Sequence, residues 1–467
     1  MRNALLTLLI LSASLPTLAQ PPGAVDTLIE KARGDSKIPG VSVAVVREGK
    51  TIVLRGYGLA NAETGTLATE KTAFQLASVT KQFTAAAVLL LVEEGKVTLD
   101  TPFVTYLTSL PEAWRRAWKD VTVRQLLNHT SGIASYTDLP GFEKTTRTDY
   151  KPQELLGLVA DMPLKWKPGA QWAYNNTGYF LLGLVIEKVA GKSYNDFLTE
   201  RIFKPLGMNE TRVNDLRDVI PNRATGYSRG PKGLQNGEYT SPTQPFSAGA
   251  LISTVTDMAK WTAAIDAGKV LKPASWSAAW IPTKLADGTT KDYGFGWSLG
   301  KLNGHPVIEH GGGIPGFSTF VLRLPADHLS VVVLTNQEAG DAGQLAHRLA
   351  ALYVPGIQVP PAKAISDPDP ALTKRLRIIL TGMTKGEATE SEFVPEFWKF
   401  LYPDRLKEGA TSLASLGELR ALVLLSRDPK PELTRLEYRA VFAKGTMKVG
   451  FVLNKEGKIG GIGLRPE

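Results

Sequence analysis

Residues 74–83 read Phe-Gln-Leu-Ala-Ser-Val-Thr-Lys-Gln-Phe and run directly into an apolar stretch from Ala85 to Val92. The apolar stretch predicts a helix, with Ser78 and Lys81 close to its beginning. Side chains three residues apart on a helix share one face, so this hydroxyl and this amine are expected to lie side by side. A neighbouring group that accepts the hydroxyl proton can make a serine into a nucleophile. The segment therefore predicts an activated serine at the start of a helix.

A second Ser-x-x-Lys, Ser298-Leu-Gly-Lys301, makes clear that this spacing alone is weak evidence. A chain of this length should contain about one or two such matches by chance. The second match lies between Tyr293-Gly-Phe-Gly-Trp297 and Leu302-Asn-Gly, where aromatic residues and glycines predict a strand that leads into a turn. Its two side chains would not share a helical face, so Ser298 is predicted to be a bystander and Ser78 the reactive residue.

Strand patterns occur at both ends of the main part of the chain. A β-hairpin is predicted over residues 41–54, and later strands are predicted over residues 307–308, 317–324 and 329–334. Between residues 101 and 286 the pattern is mostly helical and rich in loops. The prediction is an α+β fold, an α/β sandwich in which one antiparallel sheet is built from both ends of the domain and flanked by helices. A mostly helical subdomain is inserted, and a cleft is expected where it meets the sheet.

The two ends of the chain predict further segments. Arg2, the apolar run from Ala4 to Ser14 and the small residues of Thr17-Leu-Ala19 follow the order of a signal peptide. Pro355 to Pro370 contains five prolines and predicts a linker. The predicted organisation is a signal peptide (residues 1–19), a main catalytic domain (20–354), the Pro-rich linker (355–370) and a small α+β C-terminal domain of unknown role (371–467).

Cysteine is absent from the 467 residues, and histidine occurs five times. A chain without cysteine has no disulfides, no thiol nucleophile and no thiolate metal ligands. The histidines also lack the spacing of a metal-binding motif. Neither a metal nor another cofactor is therefore expected.

The net charge of +9 is spread along the chain without a basic run. Nucleic-acid binding would require a basic stripe or a recognisable module, so nucleic acid is not an expected partner. A diffuse positive charge favours anionic surfaces through long-range attraction, which makes cell-wall material a candidate partner. The apolar N-terminal run is too short to span a bilayer. We expect export to the periplasm or the extracellular space, with no integral membrane segment after signal cleavage.

Three other motifs follow Ser78-Val-Thr-Lys81 along the chain. Leu126-Leu-Asn-His-Thr-Ser-Gly-Ile133 comes first, and Trp172-Ala-Tyr-Asn-Asn-Thr-Gly178 then precedes an apolar helical pattern. The last is Glu309-His-Gly-Gly-Gly-Ile-Pro-Gly-Phe317, at the edge of a predicted strand. Each motif is weak alone, but the four in this order are specific.

With these motifs, the chain resembles the serine hydrolases of the class C β-lactamase and DD-peptidase family. That family is penicillin-binding-protein-like and includes esterases and D-aminopeptidases. The resemblance covers roughly residues 25–353 and implies the same sheet with an inserted helical subdomain. It also implies hydrolysis through an acyl-enzyme on Ser78, of an amide or ester such as a D-amino-acid peptide or a small acyl ester.

The resemblance implies a role for individual residues. Ser78 would be the nucleophile, Lys81 its immediate partner, and Tyr174 would take or relay the proton. The asparagine would hydrogen-bond the substrate, the histidine would line the opposite wall, and the bare glycine backbone would let substrate approach the strand edge. The residues concerned are Ser78, Lys81 and Tyr174 in catalysis, Asn176, His310 and Gly312 in substrate binding, and the backbone N–H groups of Ser78 and Gly313 in an oxyanion hole.

Tyrosine normally titrates near 10 and lysine near 10.4. In a dry cleft an ammonium favours a phenolate, and burial favours a neutral amine, so Lys81 and Tyr174 would titrate as a coupled pair. The sequence leaves open which of the two is the base.

Some alternatives also stay open. Tyr174 and Asn176 could cap the following helix, and His310 could be an ordinary histidine at a strand end. The segment His129-Thr-Ser-Gly132 is predicted to be a tight turn without a catalytic role.

One position departs from the β-lactamase pattern. Typical β-lactamases carry Lys-Thr-Gly where this chain has His310-Gly-Gly312. Histidine is mostly neutral at pH 7, whereas a lysine would give a β-lactam carboxylate a permanent cation. The sequence therefore favours a peptidase, amidase or esterase. The alternatives are a true β-lactamase and a catalytically silent penicillin-binding or sensor protein.

Overall fold

The computed structural model describes residues 23–230, 233–357, 364–429 and 433–466. The predicted signal peptide (residues 1–19) lies outside the described residues, as does the middle of the predicted linker (358–363). The described residues form two compact units, the first within residues 23–229 and 234–357, the second within residues 364–429 and 433–466 together with residues 230 and 233. In the described part, no helix combines the length and apolar composition needed to cross a bilayer.

The described strands range from two-residue bridges to a twelve-residue strand. In chain order they are β1 (Gly40–Arg47), β2 (Lys50–Asn61), β3 (Thr66–Leu67), β4 (Phe74–Gln75), β5 (Arg212–Val213), β6 (Tyr227–Gly230), β7 (Gly233–Asn236), β8 (Leu251–Ser253), β9 (Thr283–Lys284), β10 (Thr290–Lys291), β11 (Ser298–Leu302), β12 (His305–Ile314), β13 (Phe317–Leu324), β14 (Leu329–Thr335), β15 (Leu419–Pro429), β16 (Leu433–Phe442), β17 (Gly445–Asn454) and β18 (Ile459–Pro466).

The α-helices of the described residues are interspersed with short 3₁₀ turns and with one π-helical turn, Thr199–Phe203. In chain order they are α1 (Ala24–Asp35), α2 (Thr80–Glu93), α3 (Glu112–Ala117), α4 (Val123–Leu127), α5 (Pro152–Ala160), α6 (Asn176–Ala190), α7 (Tyr194–Leu198), α8 (Lys204–Leu206), α9 (Phe246–Gly249), α10 (Val255–Asp266), α11 (Pro273–Ala279), α12 (Ala342–Tyr353), α13 (Pro370–Met383), α14 (Pro395–Leu401) and α15 (Asp404–Ala414).

The main sheet has seven strands in the order β11-β12-β13-β14-β1-β2-β3. Neighbouring strands are antiparallel throughout, and β1 pairs with β14 from Val41↔Thr335 to Arg47↔Leu329. Both ends of the first unit therefore meet at the centre of one sheet. The predicted α+β fold with a sheet built from both ends of the domain is confirmed.

The sheet is covered on both faces, as the pattern of β1 requires. Successive side chains of a strand point to opposite faces, and nearly all of β1 is buried. Ala44 and Val46 join the core that contains α2, whereas Val43 and Val45 join the core that contains α1 and α12. Burial of apolar side chains on both faces stabilises the sheet between two helical layers.

Helices α3 to α9 form most of the insert between the first and last strands of the sheet. The predicted helical insert is confirmed, although short strands that the sequence did not indicate also occur in it. Two of them, β5 and β8, form a small sheet with β4 in the order β4-β8-β5, in which β8 pairs with both neighbours. Since β4 ends at Gln75, this small sheet holds the chain directly before Ser78.

The second unit has its own sheet and its own core. Strands β15 to β18 form an antiparallel sheet in chain order, and α13, α14 and α15 precede it along the chain. Its buried apolar residues form a separate cluster, with Leu376, Tyr438 and Phe451 among them. The domain boundaries given by the sequence stay a prediction.

Candidate active site

Ser78 lies on the 3₁₀ turn Ala77–Val79, which joins β4 to α2. The sequence predicts Ser78 at the start of a helix, and the structure has it on this turn, two residues before α2 begins at Thr80. Ala77 adopts a left-handed conformation with φ 47° immediately before Ser78. Such a conformation is unfavourable for a residue with a Cβ and is often found where a reactive side chain must be presented. The Ser78 side chain is half-buried, and its neighbours Ala77 and Val79 are buried.

Lys81 is the most informative residue of the site because its amine is fully buried. Its Nζ lies 3.1 Å from Ser78 Oγ, and it donates to Asn176 Oδ1 at 2.8 Å and to the carbonyl of Ala248 at 2.8 Å. Burial lowers the pKa of Lys81 well below that of a free lysine. Among the described residues, no carboxylate contributes to this pKa. The arrangement favours a neutral amine in contact with the Ser78 hydroxyl.

Tyr174 lies beside this pair, with the Lys81 Nζ 4.7 Å from the centre of its ring. Its hydroxyl is buried and makes no hydrogen bond of ordinary geometry to another described residue. Burial raises the pKa of Tyr174, and nearby Ser78 lowers it by less. Tyr174 therefore holds its proton at neutral pH, with its buried hydroxyl beside Ser78.

Two adjacent asparagines at the start of α6 make different hydrogen bonds. Asn175 is the N-cap, since its side chain accepts a hydrogen bond from Gly178 N at 2.8 Å. Asn176 instead accepts from Lys81 through Oδ1 and donates through Nδ2 to Thr137 Oγ1 at 3.1 Å. The helix-capping alternative thus applies to Asn175, and Asn176 orients the lysine. The predicted contact of Asn176 with substrate stays a prediction.

His310 is buried on β12 and is hydrogen-bonded through both ring nitrogens. Nε2 lies 2.9 Å from the hydroxyl of Tyr293, and Nδ1 lies 2.6 Å from the carbonyl oxygen of Gly311. Burial, and then the nearby Lys81, lower the pKa of His310 to about 3. This wall of the site therefore presents a neutral imidazole.

Gly312 lies directly beside the turn that carries Ser78. A Cβ at Gly312 would lie 2.2 Å from the carbonyl oxygen of Leu76 and 3.1 Å from the backbone nitrogen of Ser78. Only glycine fits such a close approach of two backbones. A Cβ at Gly313 would meet no described atom within 4 Å, so the strand is open to one side there. The oxyanion hole formed by Ser78 and Gly313 stays a prediction.

His129 also belongs to this region, in a structural capacity. Its Nδ1 accepts a hydrogen bond from Asn175 N at 3.1 Å, and its ring packs 4.5 Å from that of Tyr174. His129 has a φ of 64°, as expected for the turn predicted there.

The second Ser-x-x-Lys lies on β11, with Ser298 opposite Glu309. Three residues apart on a strand, Ser298 and Lys301 point to opposite faces.

The sequence did not single out Tyr293, Thr137 or the Ala248 carbonyl, which contact His310, Asn176 and Lys81 respectively. The aromatic and glycine pattern of residues 293–297 is a sequence feature by which Tyr293 could have been found. No sequence pattern marks the carbonyl of Ala248, because every residue has a backbone carbonyl. In the described part of the chain, no group of three or more His, Asp or Glu side chains could hold a metal ion.

Comparisons with known proteins show the family to which the chain belongs. Penicillin-binding protein 4* of Bacillus subtilis (strain 168) is 32% identical over 281 residues, which is 57% of this chain and 61% of that protein. The chain thus spans about three-fifths of the length of the curated relatives that it matches.

Two solved structures have a similar fold. The octameric penicillin-binding protein homologue from Pyrococcus abyssi has a TM-score of 0.63 and 22% identity, over 95% of this chain and 98% of that one. A D-stereospecific amidohydrolase from Streptomyces sp. has a TM-score of 0.59 and 28% identity, over 71% of this chain and 99% of that one. The family described as Beta-lactamase matches residues 25–354. The chain therefore belongs to the Beta-lactamase family.

Proposed function

We propose that this protein is a serine hydrolase that cleaves an amide or ester bond through an acyl-enzyme on Ser78. The observation that carries the proposal is the buried amine of Lys81, whose Nζ lies 3.1 Å from Ser78 Oγ. A serine hydroxyl is a weak nucleophile unless a neighbouring base accepts its proton. An amine whose pKa is lowered by burial is suited to that task.

Lys81 is the base in this mechanism. A neutral amine has two hydrogens and one lone pair. The Asn176 side-chain oxygen and the Ala248 carbonyl accept hydrogen bonds from two positions of the Nζ. The lone pair is then left to face the Ser78 hydroxyl and can take its proton as Oγ attacks the substrate carbonyl carbon.

Tyr174 is the acid. Its buried phenol keeps its proton at neutral pH and lies next to both Ser78 and Lys81. When the tetrahedral intermediate collapses, the bond from the carbonyl carbon to the leaving group breaks. The phenol then gives its proton to the departing amine or alkoxide, and the ammonium of Lys81 restores it. Water attacks the acyl-enzyme in the same way and releases the acid and Ser78.

The oxyanion would be held by the backbone N–H groups of Ser78 and Gly313. Each such donor typically lowers the barrier by about 3–4 kcal/mol. The contact of Gly312 with the Ser78 turn supports this assignment, because it brings the strand and the turn into register.

The substrate we favour is a D-amino-acid amide or peptide, or a small acyl ester. The neutral His310 gives no permanent cation to a substrate carboxylate, which argues against efficient β-lactam hydrolysis. The similarity to a D-stereospecific amidohydrolase supports the D-amino-acid class. Turnover of the chromogenic β-lactam nitrocefin is accordingly expected to be slow. Rapid turnover would favour the true β-lactamase, and a stable acyl adduct without any turnover would favour a silent penicillin-binding or sensor protein.

We also propose that the protein is exported and that its substrate reaches it in the periplasm or outside the cell, where cell-wall material is a candidate partner. N-terminal sequencing of the protein recovered from those fractions should begin at Gln20. Recovery of an unprocessed chain from the cytoplasm alone would contradict this proposal.

The direct test is labelling with a fluorophosphonate probe followed by peptide mass spectrometry, together with a panel of D- and L-aminoacyl amides and p-nitrophenyl esters. The adduct is expected on Ser78, and Ser78→Ala should lose both labelling and turnover. Ser298→Ala is the matched control, because it removes the serine of the other Ser-x-x-Lys and should keep both. An adduct on any other residue, or full activity of Ser78→Ala, would overturn the proposal.

A further inference from the structure

The hydrogen bonds of His310 define which of its nitrogens carries the proton. Nδ1 lies 2.6 Å from the carbonyl oxygen of Gly311, and a carbonyl can only accept, so Nδ1 must carry a hydrogen. Nε2 lies 2.9 Å from the hydroxyl of Tyr293. In a neutral ring with its hydrogen on Nδ1, Nε2 has a free lone pair. The hydroxyl of Tyr293 therefore donates to Nε2, and the two contacts select a single tautomer.

The surroundings of His310 are compatible with a neutral ring only. The titratable groups around it are Lys81 from α2, Tyr174 from the segment before α6, His129 from the turn after α4, and Tyr293. None of them is a carboxylate that could stabilise an imidazolium. Glu309, the preceding residue on the strand, is engaged with His347 Nε2 at 2.8 Å.

Tyr293 is held firmly where it meets His310. Its backbone nitrogen donates to Lys291 O at 2.7 Å, and its carbonyl accepts from the Thr283 backbone nitrogen at 3.0 Å and the Thr283 hydroxyl at 2.7 Å. Its buried ring packs 4.8 Å from that of His129. The hydroxyl is thus offered to His310 by a side chain with little freedom to move.

The glycines that follow Tyr293 bring this segment against α2 and against the end of α11. A Cβ at Gly296, where φ is 75°, would lie 2.6 Å from the carbonyl oxygen of Lys81. A Cβ at Gly294 would lie 2.0 Å from the carbonyl oxygen of Ala279. The close approach requires glycine at both positions, and it sets Tyr293 between the helix that carries Lys81 and the strand that carries His310.

We propose that Tyr293 is a positioning residue, whose hydroxyl holds His310 in the neutral Nδ1–H tautomer and so fixes the glycine-lined edge of β12 beside Ser78. The carbonyl of Gly311 links the His310 ring to the strand edge, because this carbonyl belongs to the peptide that joins Gly311 to Gly312. Gly312 in turn packs on the turn of Ser78. The catalytic consequence rests on the proposed serine hydrolase, whereas the tautomer itself does not.

The first experiment is ¹⁵N NMR of the histidine side chains in the full-length protein, where only five histidines contribute signals. Comparison with His310→Asn assigns the His310 signals. We expect a protonated Nδ1 and an unprotonated Nε2, unchanged between about pH 5 and pH 8. A proton on Nε2, or titration of His310 within this range, would overturn the proposal. The wild-type protein alone is sufficient for this measurement.

The second experiment is Tyr293→Phe, which removes one hydroxyl and leaves Nε2 without a donor. The variant should have mixed tautomers of His310 and a raised His310 pKa, because the bond that favoured the neutral ring is gone. The pH profile of kcat/KM should gain an inflection from His310 on its acid side, and kcat should fall about tenfold with little change in KM. An unchanged His310 spectrum together with an unchanged pH profile would contradict the role of Tyr293.

Tyr194→Phe is the matched control. It also removes a buried tyrosine hydroxyl, one that lies 2.6 Å from Thr84 Oγ1 and does not contact His310. Similar losses of thermal stability are expected in the two variants, with the His310 spectrum changed only in Tyr293→Phe. If the wild type hydrolyses nothing in the substrate panel, the proposed function fails, while the NMR measurement still decides the tautomer.

Discussion

Lys81 derives its chemistry from its surroundings rather than from its residue type. Three oxygen atoms lie within hydrogen-bond distance of its Nζ, and two aromatic rings, those of Tyr174 and Tyr179, lie 4.7 and 5.4 Å from it. Taking a charge out of water is unfavourable unless an opposite charge compensates for it. Without such a charge among its described contacts, the amine is more stable when neutral.

This environment predicts the pH dependence of the reaction. Lys81 accepts the Ser78 proton only as a neutral amine, so kcat/KM should rise with pH as Lys81 loses its proton. Since burial lowers the pKa of Lys81, the midpoint should lie well below 10.5. The pKa of Tyr174 is raised, so the acid stays protonated and activity should not decline just above neutral pH.

The measurement is kcat/KM for an uncharged ester across the pH range in which the protein stays folded. His310 should add no inflection near neutrality, because its pKa is lowered to about 3. A midpoint at or above 10.5 would contradict the role of the buried amine.

At the scale of single residues, the sequence predicted the neighbours that are close along the chain. The contact of Ser78 with Lys81 follows from helical spacing, and the structure has it at 3.1 Å. The other two partners of Lys81 are 95 and 167 residues away. No local pattern contains that information, because it depends on how α6 and α9 pack against α2.

Strand β12 is the element on which the site depends most. Its first residues, 305–309, pair with β11, and residues 308–314 pair with β13 on the other side. From His310 onward, β11 no longer pairs with β12, and the turn of Ser78 packs against the face of the strand at Gly312. The strand and the turn can approach closely because Gly312 has no side chain.

Gly312→Ala is therefore expected to damage the site through this element. The new methyl group would clash with the Leu76 carbonyl, so β12 and the Ser78 turn must separate. Overpacking of this kind typically lowers the free energy of unfolding by about 1–3 kcal/mol, and kcat/KM should fall more than a hundredfold as the oxyanion donors lose register. Thermal or denaturant unfolding and ester kinetics measure the two effects.

Gly300→Ala on the neighbouring strand β11 serves as the comparison. A Cβ at Gly300 would lie 3.4 Å from the Val307 side chain, an ordinary contact. Stability and activity close to those of the wild type are expected. Equal effects of the two substitutions would mean that the contact with the Ser78 turn is unimportant.

At the scale of elements, the sequence predicted β12 only in part. The apolar pair at residues 307–308 was recognised, but the strand continues through Gly311, Gly312 and Gly313 to Ile314. Glycine weakens strand propensity, so a glycine run is hard to recognise as part of a strand. The same residues that make the edge accessible hide it from a pattern-based prediction.

The molecule as a whole consists of two units with separate hydrophobic cores. Every residue of the candidate site lies in the first unit, and the family match also ends within it, at residue 354. Leu380, Tyr438 and Phe451 are among the buried residues of the second core. Each unit thus has the apolar interior that independent folding requires.

A chain of residues 23–357 is accordingly expected to fold by itself, since it contains both cores that enclose the main sheet. It should unfold in one cooperative transition and hydrolyse a small ester at a rate within about twofold of the full chain. Circular dichroism and ester kinetics provide the readout. A folded fragment without turnover would mean that the second unit contributes to catalysis.

The central pairing of the main sheet also dictates when the protein can fold. Strand β1 leaves the ribosome early, whereas its partner β14 emerges only after nearly all of the first unit has been synthesised. The side chain of Asn336 likewise accepts a hydrogen bond from Gly40 N, 296 residues away. Closing so long a loop carries an entropic penalty before any pairing compensates for it. Strand β1 can pair early with β2, which follows it directly, but its other edge must wait for β14 throughout most of the synthesis, a period in which chaperones would be its main protection from aggregation.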